Sequence, residues 1–307
     1  MAAKKQPTVL VHLASGIGNI VLATPLLVAL NQMGFTSDLL LHSDYPQTAD
    51  LLRDWSAVRA IYSTGAHVNV DHDFIVPAIP PFYWRRFARL YRDSPRLIRR
   101  PPASLFYQDE QEYYLAFARA LGYPADLRPF YRLPIAPCDA FGVTWRTLVI
   151  APGCKTGEMA AKRWPYFPQL AEAFDDVAVA GTADDLYRRD GTPFQFPSQA
   201  RMFIDKLTLR ETAELLAAAG AVVGNDSGLI HVAAAVGAQT LMIFGPTPHT
   251  TLGQLPPNAK IIRAGLECEP CWFGARFREC LGQINCLRQI TAQTVERELS
   301  MLLRQAV

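Results

Sequence analysis

One stretch of the sequence limits the fold more than any other: residues 221–244 read AVVGNDSGLIHVAAAVGAQTLMIF. A short apolar run, Ala221–Val223, predicts a strand, and the helix-capping residue types N-D-S follow it. The next segment, Ser227–Val236, is apolar almost all round and stops at Gly237, so it predicts a buried helix. Another apolar run, Thr240–Phe244, predicts a second strand. This succession predicts a β-α-β unit with parallel strands.

The same alternation of apolar runs and helical periods continues along the chain in two series. A Pro-rich stretch at 131–142, YRLPIAPCDAFG, separates the two series and is interpreted as a linker. Since 307 residues exceed one typical domain, we expect an N-terminal domain over 1–140 and a C-terminal domain over 141–307. Both would be Rossmann-like α/β domains with parallel sheets and a ligand cleft at the carboxyl ends of the strands. The other predicted elements are strands Thr8–Leu13, Ser37–His42, Thr147–Ala151 and Val177–Ala180, and helices Asn19–Met33, Asp109–Gly122, Phe167–Phe174, Leu209–Ala219 and Thr291–Ala306.

Composition excludes several classes of protein. The formal net charge is +2, which gives no overall basis for binding nucleic acid. No uninterrupted apolar run reaches the roughly 18 residues of a membrane span, and the apolar segment after the basic residues 1–7 is too short for a signal peptide. We therefore expect a cytoplasmic protein. Six cysteines in such a chain favour thiols or a metal site over a disulfide framework.

The first predicted strand leads into a glycine-containing loop at 14–25, ASGIGNIVLATP. A dinucleotide-binding loop has the pattern Gly-x-Gly-x-x-Gly, followed about twenty residues later by an acidic residue that binds the ribose. Gly16 and Gly18 match this pattern, but Val21 occupies the third position, and Asp38 precedes an apolar run instead of ending it. An oxidoreductase is kept as a rival interpretation, and no organic cofactor is expected.

The turn before the apolar helix has the residue types of an anion site. A helix amino end carries free N–H groups and a partial positive charge, so it binds phosphate readily. Gly228 would let a ligand approach the backbone closely, and Ser227 would add a hydroxyl group. His231 lies just over one turn further on. We therefore expect a phosphate-containing ligand at Asp226–His231.

Several motifs resemble those of glycosyltransferase family 9, whose best-known members are the heptosyltransferases of lipopolysaccharide inner-core assembly. The family's donor signature, Asp-(Ser/Thr)-Gly-x-x-His-x-Ala, is similar to DSGLIHVA at 226–233. Its Lys-x-Trp-Pro loop resembles APGCKTGEMAAKRWP at 151–165, its amino-terminal segment GNIVLATPLLVAL at 18–30, and its interdomain helix QEYYLAFARALG at 111–122. The resemblance implies the GT-B fold, in which two Rossmann-like domains face each other. The N-terminal domain would bind the acceptor, and the C-terminal domain a nucleotide sugar, typically ADP-heptose.

The resemblance also implies roles for individual residues of the donor site. Asp226 would contact sugar hydroxyls, while Ser227 and Gly228 would bind the diphosphate through a hydroxyl and a backbone N–H. His231 would contact the diphosphate or the sugar. Lys162 would be the cation facing the phosphates, and Asp184 would be the acidic residue near the ribose.

On the acceptor side, the sequence departs from the family at one position. The family's heptosyltransferases have Gly-Asp in the first loop, and that aspartate is the candidate general base for the acceptor hydroxyl. Asn19 stands at the matching position, and an amide has no useful basicity near pH 7. Asn19 could orient the hydroxyl while another group, such as His12, Asp44 or the leaving phosphate, accepts the proton. Asn19 could also simply cap a helix.

A segment between Pro77 and Pro102 carries seven arginines and one aspartate. If Arg85–Arg100 is helical, its arginines at 85, 89, 92, 96 and 99 share one face. That face is either solvated or a clamp for an anionic acceptor, such as a phosphorylated lipid or saccharide at the inner membrane surface. The interleaved aromatic residues Phe82, Tyr83, Trp84 and Tyr91 would suit stacking on a sugar.

Four cysteines fall within the stretch CEPCWFGARFRECLGQINC, residues 268–286. Cys268 and Cys271 have the two-residue gap of a metal knuckle, and with Cys280 and Cys286 they could bind zinc or iron tetrahedrally. The other spacings match no standard finger. The sequence therefore leaves two alternatives open, a structural metal site and free thiols.

The leading prediction is an inverting glycosyltransferase that moves a sugar to a hydroxyl of a saccharide, lipid-linked or protein acceptor. Heptose from ADP-heptose is the first candidate for that sugar. Synthesis of lipopolysaccharide core or a related glycan would be its setting. Besides the oxidoreductase, two alternatives stay open: a nucleotide-sugar-binding protein that has lost catalysis, and a transferase with another donor and acceptor.

Overall fold

The structure is a computed structural model, and it describes residues 6–63, 71–91, 95–272, 274–280 and 283–305. The contacts divide the chain into two compact units. The first comprises the described residues up to Pro134 together with Thr250–Gln254, and the second comprises Ile135–His249 with the residues from Leu255 onward. The chain therefore leaves the second unit briefly and then returns to it.

The first unit is built on a parallel sheet with strand order β3-β2-β1-β4. The inner strand β1 is almost wholly buried, as expected for a strand with neighbours on both sides. The strands are β1 (Thr8–Ser15), β2 (Thr36–Ser43), β3 (Val58–Ser63) and β4 (Phe74–Val76), and the helices are α1 (Ile17–Leu22), α2 (Thr24–Gln32), α3 (Ala49–Leu52), α4 (Trp84–Phe87), α5 (Ala103–Gln108) and α6 (Glu110–Ala120).

The single helix predicted over Asn19–Met33 is two helices, α1 and α2, joined at Ala23. Pro25 has no N–H to donate back to the carbonyl four residues earlier, that of Val21. The Thr24 hydroxyl donates to that carbonyl at 2.7 Å instead. The break therefore follows from a proline that interrupts the ladder of backbone hydrogen bonds.

The returning segment Thr250–Gln254 packs on α6 within the first unit. Gln111 of α6 is buried, and its Nε2 donates to the carbonyl oxygens of Leu252 and Gln254. Between them, Gly253 has a positive φ of 71°, and a Cβ there would lie 2.3 Å from the Asp109 carboxylate. Only glycine allows this approach without strain.

A buried carboxylate, paired with a half-exposed arginine, fixes the start of β2. Asp38 is 1% exposed, accepts two hydrogen bonds from Arg59 at 2.9 and 2.6 Å, and lies 2.8 Å from His72 Nε2. Burial alone would raise the pKa of Asp38, but the hydrogen bonds from Arg59 and His72 hold it below its ordinary value. The carboxylate that the oxidoreductase interpretation would assign to a ribose is thus occupied by structural partners.

We expect Asp38→Asn to lower the free energy of unfolding by about 2 kcal/mol at pH 7, because it removes charged hydrogen bonds from a buried site. Since the folded-state pKa is lowered, this stabilisation is present above the unfolded pKa of about 3.9 and is lost as the pH falls through the folded pKa. Urea unfolding at pH 7 and below pH 4 measures both effects. An unchanged difference between variant and parent at the lower pH would contradict this assignment.

The second unit is built on a six-stranded parallel sheet with strand order β10-β9-β8-β5-β6-β7. Its outermost strands, β7 and β10, are not predicted from the sequence, whereas the four inner ones are. The strands are β5 (Leu148–Ala151), β6 (Val177–Gly181), β7 (Arg201–Ile204), β8 (Ala221–Asn225), β9 (Thr240–Ile243) and β10 (Ala259–Ile262), and the helices are α7 (Phe167–Ala171), α8 (Leu209–Ala218), α9 (Gly228–Ala235), α10 (Ala275–Cys280), α11 (Asn285–Arg288) and α12 (Ala292–Gln305).

The arginine-rich segment is not the single helix that the spacing predicts. It contains α4, a short 3₁₀ turn over Ala88–Tyr91 and then non-helical chain from 95 onward, while Arg92 lies outside the described residues. Arg96 donates to Asp71 and to the His72 carbonyl oxygen, and Arg100 stacks over Trp84 at 4.8 Å. The arginines therefore do not form one shared face, because a parallel bridge from Leu97 to Ile75 extends the chain there.

Across the described ranges, no helix has the length and apolar character of a membrane span.

Candidate functional site

The site begins at the carboxyl ends of the two central strands of the second unit, β5 and β8. Asn225 ends β8 and is fully buried. Its Nδ2 donates to the Pro152 carbonyl oxygen at 2.5 Å, and its Oδ1 accepts the Trp164 backbone N–H at 2.9 Å. One amide thus joins the end of β8 to both ends of the loop that follows β5. Gly224 allows this packing, since a Cβ there would lie 2.4 Å from the Ala151 carbonyl oxygen.

This arrangement brings together three of the residues predicted from the sequence. Lys162 Nζ lies 3.2 Å from Asp226 Oδ2, and His231 Nε2 lies 3.4 Å from Asp226 Oδ1. The side chains of Lys162 and Asp226 are each 15% exposed, so their attraction is only weakly screened by solvent. Burial alone would raise the pKa of Asp226, but Lys162 and then His231 hold it well below its usual range. The carboxylate therefore stays ionised at neutral pH.

Ser227 and Gly228 begin α9 beside this cluster. Ser227 is the N-cap residue in an extended conformation, with φ of −152°, and Gly228 is the first helical residue. Both are partly exposed, and among the described residues the Ser227 side chain makes no capping bond to α9. Free N–H groups at this helix start and the nearby Lys162 ammonium are suited to a phosphate group. The predicted helix Ser227–Val236 is confirmed.

The loop after β6 carries the acidic residue predicted to contact a ribose. Asp184 lies on a 3₁₀ turn, Ala183–Leu186, and is exposed. Its neighbour Asp185 turns inward, accepting hydrogen bonds from the Thr182 N–H and hydroxyl at 2.8 and 3.0 Å. A Cβ on Gly153 would lie 2.3 Å from the Asp185 carboxylate, so the two loops are in close contact. The ribose role of Asp184 stays a prediction.

The first unit contains a separate polar network at the carboxyl end of β1. Ser15 has a φ of 100°, a conformation that costs energy for a residue with a side chain, and such strain is often found at functional sites. Its hydroxyl donates to Asn19 Oδ1 at 2.8 Å, and Asn19 Nδ2 donates to Glu110 Oε1 at 2.7 Å. The Tyr114 hydroxyl donates to the same Glu110 oxygen at 3.2 Å. Asn19 is thus held by two side chains within its own unit.

The two other groups considered as bases also lie in the first unit, and Asp44 is next to this network, since its backbone N–H donates to the Ser15 carbonyl oxygen at 3.2 Å. His12 is fully buried, with its ring centroid 4.5 Å from that of His42 and 4.8 Å from that of Phe87. Burial, and then the nearby His42, lowers the pKa of His12 to about 3. Asp44 is exposed and accepts from the Tyr83 hydroxyl at 3.0 and 3.1 Å. The catalytic role predicted for His12 stays a prediction, although its burial and lowered pKa disfavour proton transfer there.

The metal site predicted at the cysteines is not supported. Cys268, Cys271, Cys280 and Cys286 line one cavity of about 90 Å³. However, no group of three or more His, Cys, Asp or Glu side chains in the described parts of the chain is arranged to hold a metal ion. Burial raises the pKa of Cys271, and it raises that of Cys286 to about 12, so as free thiols both are protonated at neutral pH. The spacing of the first pair indicated a knuckle, but the remaining thiols do not complete one.

Sequence reasoning missed the polar residues that organise the two clusters: Asn225, Ser15 and Glu110, which are buried, and Asp185, which is partly buried. Asn225 precedes the predicted motif directly, and its position at the end of an apolar strand could have indicated a structural amide. Glu110 carries no such signal, because it looks like one more polar residue in the first turn of an amphipathic helix. Its partner Asn19 lies 91 positions away in the sequence.

Comparisons with known proteins agree on one family. The model of glycosyltransferase family 9 (heptosyltransferase) matches residues 111–278. Lipooligosaccharide heptosyltransferase 2 of Haemophilus influenzae is 37% identical over 122 residues, 36% of this chain and 35% of that protein. Lipopolysaccharide heptosyltransferase 2 of Escherichia coli is 29% identical over 180 residues, 55% and 50% of the two chains. The matches thus span about a third to a half of these curated relatives.

The fold is similar over nearly the whole chain. The structure of E. coli ADP-heptose lipopolysaccharide heptosyltransferase II superposes with a TM-score of 0.71 at 20% identity, covering 97% of this chain and 99% of that one. The two parallel-sheet units of the present chain are therefore the Rossmann-like units of the GT-B fold, which confirms the predicted fold class.

Proposed function

The chain belongs to glycosyltransferase family 9, and from this we propose that it transfers a sugar from a nucleotide-sugar donor to a hydroxyl acceptor with inversion at the anomeric carbon. Heptose from ADP-heptose is the proposed sugar, since the matched relatives are heptosyltransferases. The observation that carries the proposal is the cluster of Lys162, Asp226 and His231 beside the start of α9. Its groups have the chemistry that a sugar diphosphate needs.

In the proposed reaction, the acceptor oxygen forms a bond to the anomeric carbon while the bond from that carbon to the phosphate oxygen breaks. Negative charge then develops on the departing nucleoside diphosphate. The Lys162 ammonium and the N–H groups at Gly228 would stabilise that charge, and a well-placed donor of this kind is worth roughly 3 kcal/mol. The ionised Asp226 would accept hydrogen bonds from sugar hydroxyls.

We assign donor binding to the second unit and the groups that act on the acceptor hydroxyl to the first unit. A saccharide, a lipid-linked saccharide or a protein could supply that hydroxyl. One observation favours the non-catalytic alternative, a protein that binds a nucleotide sugar without turnover: Asn19 stands where the resemblance implies an acid–base carboxylate.

The double variant Ser227→Ala/Lys162→Ala is expected to weaken ADP binding by about 10²-fold, because it removes one hydroxyl and one charged partner of the diphosphate. Titration calorimetry measures the affinity, and thermal unfolding checks that the fold persists. Lys260→Ala is the matched control, since Lys260 is a half-exposed lysine of the same unit that pairs with Glu298. Unchanged ADP affinity in the double variant would place the donor site elsewhere.

Activity itself is tested by release of ADP from ADP-heptose in the presence of candidate acceptors. A thermal-shift panel of nucleoside diphosphates, each at about 100 times its dissociation constant, identifies the base, since such a ligand adds roughly 2.7 kcal/mol of stability. Turnover with an acceptor supports the transferase. Binding without turnover across the acceptors supports the non-catalytic alternative, and a nicotinamide nucleotide that binds more tightly supports the oxidoreductase.

A further inference from the structure

Glycosyl transfer releases a proton from the acceptor hydroxyl, and the proposed site needs a group to accept it. Asn19 cannot do so, because an amide is not basic near neutral pH. His12 is fully buried with a pKa of about 3, so it is a poor proton acceptor. Asp44 is exposed, accepts from the Tyr83 hydroxyl, and adjoins the network through its backbone N–H, which donates to the Ser15 carbonyl oxygen at 3.2 Å.

Glu110 is the carboxylate in contact with Asn19. It is the first residue of α6, is 7% exposed, and accepts the Asn19 Nδ2 hydrogen bond at 2.7 Å. Asparagine and aspartate have the same shape, so the second oxygen of an aspartate at position 19 would occupy the place of Nδ2. The Glu110 oxygen therefore lies one hydrogen-bond length from where such an oxygen would be.

The hydrogen bonds around Asn19 fix which way its amide points. A carboxylate can only accept, so the amide nitrogen must face Glu110, and the amide oxygen then faces the Ser15 hydroxyl at 2.8 Å. Two donors, the Asn19 amide and the Tyr114 hydroxyl, converge on one oxygen of Glu110. Burial, and then the charge of Glu110, raises the pKa of Tyr114 well above its usual value, so the tyrosine remains a donor.

We propose that Glu110 accepts the proton of the attacking hydroxyl. Asn19 has no basic group, and its role is to position the Glu110 carboxylate. In this step the acceptor oxygen bonds to the anomeric carbon, and the electron pair of the broken bond leaves with the diphosphate. The hydroxyl proton moves to the Glu110 carboxylate and then to water. This inference rests on the proposed glycosyl transfer.

The decisive variants move the carboxylate without changing the shape of the pair. Glu110→Gln keeps an oxygen that can accept from Asn19 but removes the basicity. Asn19→Asp/Glu110→Gln then puts the carboxylate at position 19 and the amide at position 110. Glu112→Gln is the matched control, because Glu112 lies on the same helix and pairs with Arg119 at 2.6 Å, outside the network.

Glu110→Gln is expected to lower kcat by about 10² to 10⁴-fold, the usual contribution of a positioned base, with ADP affinity and melting temperature unchanged. The exchanged pair is expected to have a kcat at least about tenfold higher than that of Glu110→Gln. Asn19→Ala alone is expected to lower kcat by less than about tenfold. The acid limb of the kcat–pH profile should disappear in Glu110→Gln and return in the exchanged pair. Glu112→Gln should leave kcat and its pH profile unchanged.

Two results would overturn the proposal while leaving glycosyl transfer intact. One is a Glu110→Gln variant that keeps more than a third of the parent kcat. The other is an Asn19→Asp/Glu110→Gln variant that folds and binds ADP but recovers no activity. This second result would also refute the proposal if Glu110→Gln alone fails to fold. Absence of turnover in the unchanged protein would instead refute the proposed function, and the base assignment with it.

Discussion

Lys162→Met is expected to lower kcat for sugar transfer by about 10² to 10³-fold, the effect of removing one preorganised donor from a developing oxyanion. Methionine keeps most of the length and apolar volume of lysine and removes its charge. In the structure that charge lies 3.2 Å from Asp226 and beside the free N–H groups that begin α9. Steady-state kinetics with ADP-heptose and a productive acceptor measure the loss.

The same substitution separates chemistry from stability. Without Lys162, the Asp226 carboxylate keeps the side chains of His231 and Thr247 among the partners that lower its pKa. We expect the free energy of unfolding to fall by about 2 kcal/mol, below the usual range for a fully buried pair because both side chains retain some exposure. Lys162→Met/Asp226→Asn should recover that stability and none of the activity. If the double variant recovers activity as well, Lys162 acts only through Asp226.

Trp164→Ala is expected to reduce the free energy of unfolding by about 4 kcal/mol, the usual cost of deleting a large buried aromatic side chain. Trp164 is fully buried in the core of the second unit, and its indole N–H donates to the Ile290 carbonyl oxygen at 2.8 Å. The cavity left by the side chain should also shift the backbone at residue 164, whose N–H donates to Asn225, and this shift should weaken ADP binding. Urea unfolding and calorimetry measure the two effects.

Trp145→Ala is the matched control for this prediction. Trp145 belongs to the same unit but is 50% exposed and stacks only with Arg146 among the ring contacts recorded for the described residues. Its removal should change the free energy of unfolding by less than about 0.5 kcal/mol. Equal losses in the two tryptophan variants would show that Trp164 does not hold the core together as described.

The cluster of the second unit, to which we assign donor binding, was predictable because its parts are close in sequence. Strand β8, the capping residues and α9 succeed one another within the 221–244 stretch, and each has a local signal: an apolar run, capping residue types and a glycine stop. The outer strands β7 and β10 were not predicted. Their residues are only partly buried, so their apolar patterns are weak.

The polar network of the first unit depends on contacts that no local pattern reveals. The pairing of Asn19 with Glu110 joins residues 91 positions apart, and neither residue type is unusual where it stands. The arginine-rich segment shows the reverse case, a strong local pattern that tertiary contacts override. Its arginines recur at helical spacing in the sequence. However, the bridge between Leu97 and Ile75 and the hydrogen bonds from Arg96 to the chain near His72 hold the chain from residue 95 onward in a non-helical conformation.

The return of Thr250–Gln254 to α6 has a consequence for how the chain is made. A ribosome releases the first 134 residues long before this segment, so the first unit emerges with the Gln111 amide lacking the carbonyl partners of Leu252 and Gln254. Burying that amide without them is unfavourable by about 1–3 kcal/mol. The first unit therefore cannot complete its native structure until most of the second unit has been synthesised, and a fragment ending at Pro134 should be less stable than the same residues in the whole chain.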